Sequence, residues 1–181
     1  GQVMTAAEVL PGDGTLTLNG FSASYSDGEV STVGRVEQLV MTESGDGSVS
    51  IDISDRYDLT VTFEPGFGDP PVNIGIVLSA PDLEMTASGT PDAITYRYAA
   101  PMITVEDGPI TGGNGAPPTI DMTLSIADVA ATYTVDASDP DNLGYDSSSS
   151  FGSIAGAVNI LPPPGEEGRM KLVLSAGATS A

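Results

Sequence analysis

Apolar and polar residues alternate along most of this chain. Successive side chains of a β-strand point to opposite faces of a sheet, so a period of two places the apolar residues of a segment on one face. Such alternation is typical of antiparallel sheets with one apolar and one solvated face, and no segment has the period of a long amphipathic helix. We therefore predict an all-β fold. The alternating apolar positions are Val49, Ile51 and Ile53; Tyr57, Leu59, Val61 and Phe63; Ile74, Ile76 and Leu78; Leu83, Met85 and Ala87; Ile94, Tyr96 and Tyr98; Met122, Leu124 and Ile126; Ala131, Tyr133 and Val135; Ile154, Val158 and Ile160; and Met170, Leu172 and Leu174.

Short turn sequences join the alternating segments. Ser44-Gly45-Asp46-Gly47 has the composition of a tight hairpin turn, and Ser88–Asp92 has that of another turn. Consecutive strands joined by short hairpins favour a meander. We therefore predict a single antiparallel domain over residues 1–181, built as a curved meander or half-barrel, with a closed β-sandwich as the alternative.

Four segments depart from the simple pattern. The apolar phase reverses at Asn19-Gly20, which predicts a β-bulge there. Glu106–Pro118 is rich in Gly and Pro and predicts a mobile loop, Asp136–Ser150 is polar and acidic, and Leu161–Gly168 predicts a stiff connection before the last strand.

A weak internal repeat accompanies the strands. Leu78–Thr86 resembles Leu124–Thr132 at an offset of 46 residues. Either a strand unit is duplicated at this spacing, or two alternating strands resemble each other by chance.

The chain carries 25 acidic residues against 5 basic ones, a net charge of −20. Nucleic acids and anionic membrane surfaces are bound by clustered Lys and Arg, so neither is expected as a partner. Solubility explains the charge, and binding of cations or of a cationic partner is the alternative. No apolar run approaches the roughly 18 residues of a transmembrane helix, so no transmembrane segment is expected.

Groups for catalysis are scarce in this sequence. The chain has no His and no Cys, which excludes His-dependent triads, thiol catalysis and His-liganded zinc. A Ser–Lys dyad would need Lys171, the sole lysine, and no Ser-x-x-Lys motif precedes it. A carboxylate pair of the glycosidase type cannot be chosen among so many acidic residues. We therefore expect a non-enzymatic protein without an obligatory cofactor.

One acidic segment has the composition of a cation site. Hard cations such as Ca²⁺ prefer several closely spaced oxygen ligands. The segment is not an EF-hand loop, because Pro140 intrudes and no Glu occupies the twelfth position. A solvated loop in an acidic protein is the alternative interpretation. The candidate Ca²⁺ ligands are Asp139, Asp141, Asn142 and Asp146.

The apolar side chains suit either a plain core or a binding surface. They are mostly of medium size and include six methionines, whose flexible side chains adapt to irregular ligands. A curved sheet with one apolar face has to cover that face with its own fold, a partner or a ligand. Alternation alone places the candidate residues for a lipid or other apolar ligand at Leu59, Val61, Ile74, Ile76, Leu83 and Met85.

Several segments resemble a known protein family. Met85–Tyr96, Gly14–Leu18 with Asp55–Val61, and Ala127–Tyr133 are similar to strand-and-turn patterns of the exported alphaproteobacterial proteins named domain of unknown function 2125. The resemblance implies a location in the cell envelope, periplasmic or extracellular, and a longer exported parent chain. It implies no activity and no functional residues.

Two functions are compatible with these features. The first is a non-enzymatic cell-envelope protein that holds a lipid or other apolar ligand on a concave sheet face. The second is a structural or adhesive surface module whose acidic loops bind cations. A protein partner that pairs with an edge strand is compatible with either function.

Overall fold

The computed structural model describes residues 1–64, 68–139, 142–163, 165 and 167–177. These residues form β-strands, turns and bends, and no helix. The strands are β1 (Gln2–Thr5), β2 (Glu8–Pro11), β3 (Thr15–Ser26), β4 (Val30–Glu43), β5 (Val49–Ile53), β6 (Arg56–Phe63), β7 (Val72–Ser79), β8 (Glu84–Thr90), β9 (Ala93–Gly112), β10 (Thr119–Asp136), β11 (Gly144–Ser150), β12 (Ser153–Leu161) and β13 (Met170–Gly177).

All the strands belong to one antiparallel sheet. Strands β5 and β6 follow one another along the same edge of β4, and β7 and β8 do the same along β9. Strands β1 and β2 share an edge of β3, and β11 and β12 share an edge of β10. The chain therefore runs as a meander of long strands, several of which are split into two halves. The predicted curved meander is confirmed, and the described residues form one sheet rather than the two of a sandwich.

The strand register confirms the alternation that the sequence shows. Residues directly opposite each other in an antiparallel pair project from the same face. Tyr57 pairs with Leu78, Leu78 with Val105, and Val105 with Leu124. Continued across the sheet, this pairing brings every alternating apolar position of the sequence to one side. We call this side the apolar face and the other side the polar face.

In each long strand the alternation of apolar and polar residues changes phase at one position. These positions are neighbours across the sheet, and we call the row that they form the crease. Gly20 lies opposite Glu37, and Asp128 lies opposite Pro101, because the pairs on either side of these positions keep their register. Gly20, Asp82 and Asp128 adopt left-handed backbone conformations, with φ of 58°, 58° and 52°. The crease is formed by Gly20, Glu37, Asp55, Asp82, Pro101, Asp128 and Gly152.

The β-bulge predicted at Asn19-Gly20 is a change of phase without an inserted residue. Asn19 pairs with Gln38 and Phe21 with Val36, so the two strands keep equal numbers of residues across the site. Instead, Gly20 reverses the faces to which the side chains project, because its backbone is left-handed. Glycine adopts this conformation without steric cost. A register shift occurs elsewhere, between Ile74 and Ile76 on β7, where β9 supplies the extra residue.

Two segments expected to interrupt the strands are partly strand. β9 extends through the first part of Glu106–Pro118 as far as Gly112, because that part pairs with β7. The serine-rich part of Asp136–Ser150 forms β11 along the free edge of β10. A long neighbouring strand supplies hydrogen-bond partners to segments whose composition favours loops. The described residues of Leu161–Gly168 beyond Leu161 form the connection to β13.

Candidate functional site

The apolar face has no covering layer. Among the described residues, only Ala80 and Ala100 have buried apolar side chains, at 4% and 3% exposure. The chain exposes 11608 Å² to solvent, whereas a compact monomer of its 18.3 kDa mass exposes about 8,100 Å². The larger apolar side chains pack on their neighbours within the sheet but keep one side open to solvent.

A groove follows the crease across the apolar face. One part of about 340 Å³ lies over β3, β4, β5, β6 and β7, and a second of about 350 Å³ extends from β5 to β10. Both parts are lined by Ile53, Tyr57 and Leu78, so they adjoin at these residues, and we call the two parts together the crease groove. At about 4.8 Å between neighbouring strands, its path from β3 to β10 is about 24 Å long.

Small residues and an opening in the sheet create this groove. Strand β5 pairs with β8 and strand β6 with β7, and the sheet parts between these two pairings. The buried Ala80 and Ala100 line the trough, where larger side chains would fill it. The phase shift at the crease thus concentrates apolar side chains around a floor of small residues.

The structure places all the predicted ligand-binding residues on the apolar face. Leu59 pairs with Ile76, and Val61 pairs with Ile74. Leu83 and Met85 line the crease groove together with Leu59. The other three predicted residues, Val61, Ile74 and Ile76, lie on the same face but outside the groove lining.

Sequence reasoning missed several groove residues that the crease brings together. Phe21 and Leu39 line one part of the groove, and Tyr98 and Val129 line the other. The phase reversal at Asn19-Gly20 was the one local signal of the crease. Its continuation through the other strands depends on register, which alternation alone does not fix.

Tyr57 lines both parts of the crease groove. Its hydroxyl is buried and has no hydrogen-bond partner in the structure. Burial raises the pKa of Tyr57 above its usual 10.0, and the negative charge of Asp55 raises it further. The hydroxyl therefore stays protonated at physiological pH and offers an unused hydrogen-bond donor.

Charged side chains are segregated from the apolar face. Among the strand residues that the structure describes, the register places only Glu43, at the end of β4, and Asp107 on that face. The Asp107 carboxylate accepts a hydrogen bond of 2.6 Å from the Met122 backbone N–H. The basic strand residues lie on the polar face, where Arg56 pairs with Asp58 at 2.8 Å.

The structure describes three of the four candidate Ca²⁺ ligands, Asp139, Asn142 and Asp146. Asn142 N–H donates to the Asp139 carbonyl at 3.0 Å within the turn, whereas Asp146 lies in β11 opposite Thr134. Asp141 lies outside the described residues. No cluster of three or more acidic side chains suited to a metal ion occurs in the part of the chain that the structure describes. Calcium binding therefore stays a prediction.

Comparison of the chain with protein-family models, curated proteins and solved structures found no match. The residues that the structure describes contain no helix that is long and apolar enough to cross a membrane.

Proposed function

We propose that this protein is a non-enzymatic cell-envelope protein, periplasmic or extracellular, that holds a lipid or other apolar ligand in the crease groove. The observation that carries this proposal is an uncovered apolar face with a trough about 24 Å long. One leaflet of a bilayer is about 15 Å of hydrocarbon, so the trough has room for a complete acyl chain.

The energetics favour reversible binding. Each buried methylene contributes about 0.8 kcal/mol, so ten of them contribute about 8 kcal/mol. Association costs at least about 4 kcal/mol in lost translational and rotational freedom. The surplus corresponds to a weak complex that loads and releases its ligand readily, as a carrier requires.

The Tyr57 hydroxyl favours an amphiphile over a pure hydrocarbon. A buried donor without a partner costs about 1–3 kcal/mol, and a ligand that displaces the side chains over the hydroxyl would offer it an ester or carboxyl oxygen as acceptor. The ligand class that fits the groove is therefore an acyl chain with an oxygen-bearing end positioned near Tyr57.

Native mass spectrometry of protein purified from its own envelope tests the proposal, followed by solvent extraction of any bound species. Discrete bound lipid masses support it and name the ligand class. A bare protein mass, together with no saturable binding of a fluorescent fatty acid, contradicts it and favours a module acting through its surface, for which Ca²⁺-dependent melting is the next measurement.

A matched pair of variants locates the ligand. Ala131 lines the crease groove, whereas its neighbour Ala130 is exposed on the polar face. Ala131→Phe should fill one end of the trough and weaken binding of a fluorescent fatty acid about tenfold, while Ala130→Phe should leave binding unchanged. Equal effects of the two substitutions would place the ligand elsewhere.

A further inference from the structure

The apolar face is larger than a ligand in the crease groove can cover. The total accessible surface, both faces and all loops included, exceeds that of a compact monomer of this mass by about 3,500 Å². The largest apolar patch on a typical soluble monomer is about 300–600 Å². Apolar side chains far from the groove are exposed as well, including Phe63 at 41%, Tyr145 at 61% and Leu172 at 58%.

We propose that two copies of this chain stack through their apolar faces. A stable dimer needs only about 800 Å² from each partner, and the accessible surface in excess of a compact monomer, about 3,500 Å² over both faces together, leaves room for an interface of this size. Stacked sheets pack about 10 Å apart with interdigitating side chains, and the medium-sized Val, Ile, Leu and Met residues of this face suit such a core. The two copies would together form the two-layered structure that each lacks alone.

The charge distribution favours a second copy as the partner. Stacking brings together two apolar faces. Among the described strand residues, the charged ones on this face are only Glu43 and Asp107. The other strand carboxylates lie on the outer faces, about 20 Å apart across the stack. This distance exceeds the Debye length of about 8 Å at physiological salt, so their repulsion is largely screened.

A membrane leaflet suits the same face less well. A chain with a net charge of −20 is repelled by anionic headgroups, and the basic strand residues Arg35, Arg56, Arg97 and Lys171 lie on the polar face. The observations therefore point to a protein partner with the same apolar surface.

Two-fold symmetry gives the dimer a specific internal geometry. An isologous interface places the same patch of each copy against its equivalent, so each crease groove faces the apolar surface of the other copy. The grooves then become enclosed between the sheets. The dimer itself does not depend on the ligand, because the apolar face needs a cover whether or not the groove is occupied.

Light scattering coupled to size-exclusion chromatography tests the dimer directly. The wild-type protein should elute at twice its 18.3 kDa chain mass, before and after solvent extraction of bound lipid. A monomeric mass at about 20 μM, well above a nanomolar dissociation constant, would overturn the proposal. Monomers that bind vesicles of neutral phosphatidylcholine would assign the face to a membrane instead.

Two neighbouring residues of β13 supply matched variants for this experiment. Leu172 pairs with Val158 on the apolar face, and Val173 projects from the polar face. Both are exposed, Leu172 at 58% and Val173 at 66%. Leu172→Glu should raise the dimer dissociation constant about tenfold or more, since stacking would bury an unpaired carboxylate. Val173→Glu should leave it unchanged.

The outcomes separate this proposal from the ligand proposal. Equal weakening by Leu172→Glu and Val173→Glu would indicate pairing through the β13 edge and would overturn face-to-face stacking. A dimer that carries no lipid and shows no saturable binding of a fluorescent fatty acid supports stacking and contradicts the carrier function. Lipid bound to a monomer supports the carrier function and contradicts stacking.

Discussion

Asp82 and Asp128 lie 46 residues apart and both adopt a left-handed backbone, with φ of 58° and 52°. Among the described residues, they are the only two other than glycine that have a positive φ. Both lie on the crease, and both occupy the same place in the repeated segments Leu78–Thr86 and Leu124–Thr132. Matching backbone conformations at matching positions favour a duplicated strand unit over a chance resemblance of alternating strands.

The left-handed conformation makes Asp128 sensitive to branched side chains. A residue other than Gly, Asn or Asp loses about 1–2 kcal/mol in this region, so Asp128→Val should lower the free energy of unfolding by about that amount. Asp128→Gly should be nearly neutral, because relief of strain offsets the greater freedom of the unfolded chain. Urea denaturation measures both changes.

Asp121 provides the control for the charge that this substitution removes. It is an exposed aspartate on the polar face of the same strand, paired with Asn159, and its backbone φ is not positive. Asp121→Val should change stability by less than Asp128→Val. Equal losses at the two positions would show that backbone conformation is not the cause.

Two glycines in the sheet should respond in opposite ways to a methyl group. A Cβ on Gly75 would lie 2.8 Å from the Pro109 Cδ and 3.0 Å from the Pro109 carbonyl oxygen. Gly75→Ala should therefore cost about 1–3 kcal/mol in stability. At Gly34 the nearest atoms are at 3.8 Å and 3.9 Å, so Gly34→Ala should stabilise by up to about 1 kcal/mol.

Thermal and urea unfolding of the two variants check this contrast. Gly34→Ala serves as the matched control, because it makes the same chemical change in a strand with room for a methyl group. A stable Gly75→Ala protein would show that the contact between β7 and β9 at the register shift relaxes without cost.

The sequence predicts strands and faces well, because both depend on local alternation. Ile74 and Leu124 lie on the face that their period of two assigns to them. The crease is harder to predict, because the conformations of Asp82 and Asp128 depend on neighbouring strands. β11 was missed because Gly144–Ser150 has no alternating apolar residues, and the strand pairs along the edge that β10 offers it.

The candidate site was predictable in part for the same reason. Alternation finds the members of the apolar face, including Leu59 and Met85, without locating the trough within it. Residues of both sheet halves meet at the groove, and their meeting depends on the one-to-one register around Gly20 and Asp128. Nothing in the composition shows whether an apolar face is covered.

The hairpin turn between β4 and β5 gives a pH-dependent prediction. The pKa of Asp46 is lowered from 3.8, first by the Ser48 hydroxyl, which donates a hydrogen bond of 2.7 Å to its carboxylate, and then by the Ser48 backbone N–H. Because the folded pKa is depressed, the ionised carboxylate stabilises the turn above pH 3.8. This contribution is lost as the pH falls through the folded pKa.

Ser48→Ala should move the pKa of Asp46 back toward 3.8, because it removes the larger cause and leaves the backbone hydrogen bond. NMR titration of the side-chain carboxyl carbons measures the change. Asp27 is the internal control, since hydrogen bonds from the Val30 and Glu29 backbone lower its pKa. An unchanged Asp46 titration would show that the Ser48 hydroxyl does not hold the carboxylate in solution.

Removal of the Tyr57 hydroxyl should have opposite effects on the free and the loaded protein. Without ligand the buried hydroxyl has no partner, so Tyr57→Phe should raise the free energy of unfolding by about 1 kcal/mol. With a fatty acid bound, the same change removes a hydrogen bond and should weaken binding several-fold.

Tyr25→Phe is the control, because Tyr25 is 54% exposed and lies outside the groove. Urea denaturation of delipidated protein and titration with a fluorescent fatty acid separate the two effects. A loss of stability in the delipidated Tyr57→Phe variant would show that the hydroxyl is already satisfied and cannot serve as the ligand's anchor.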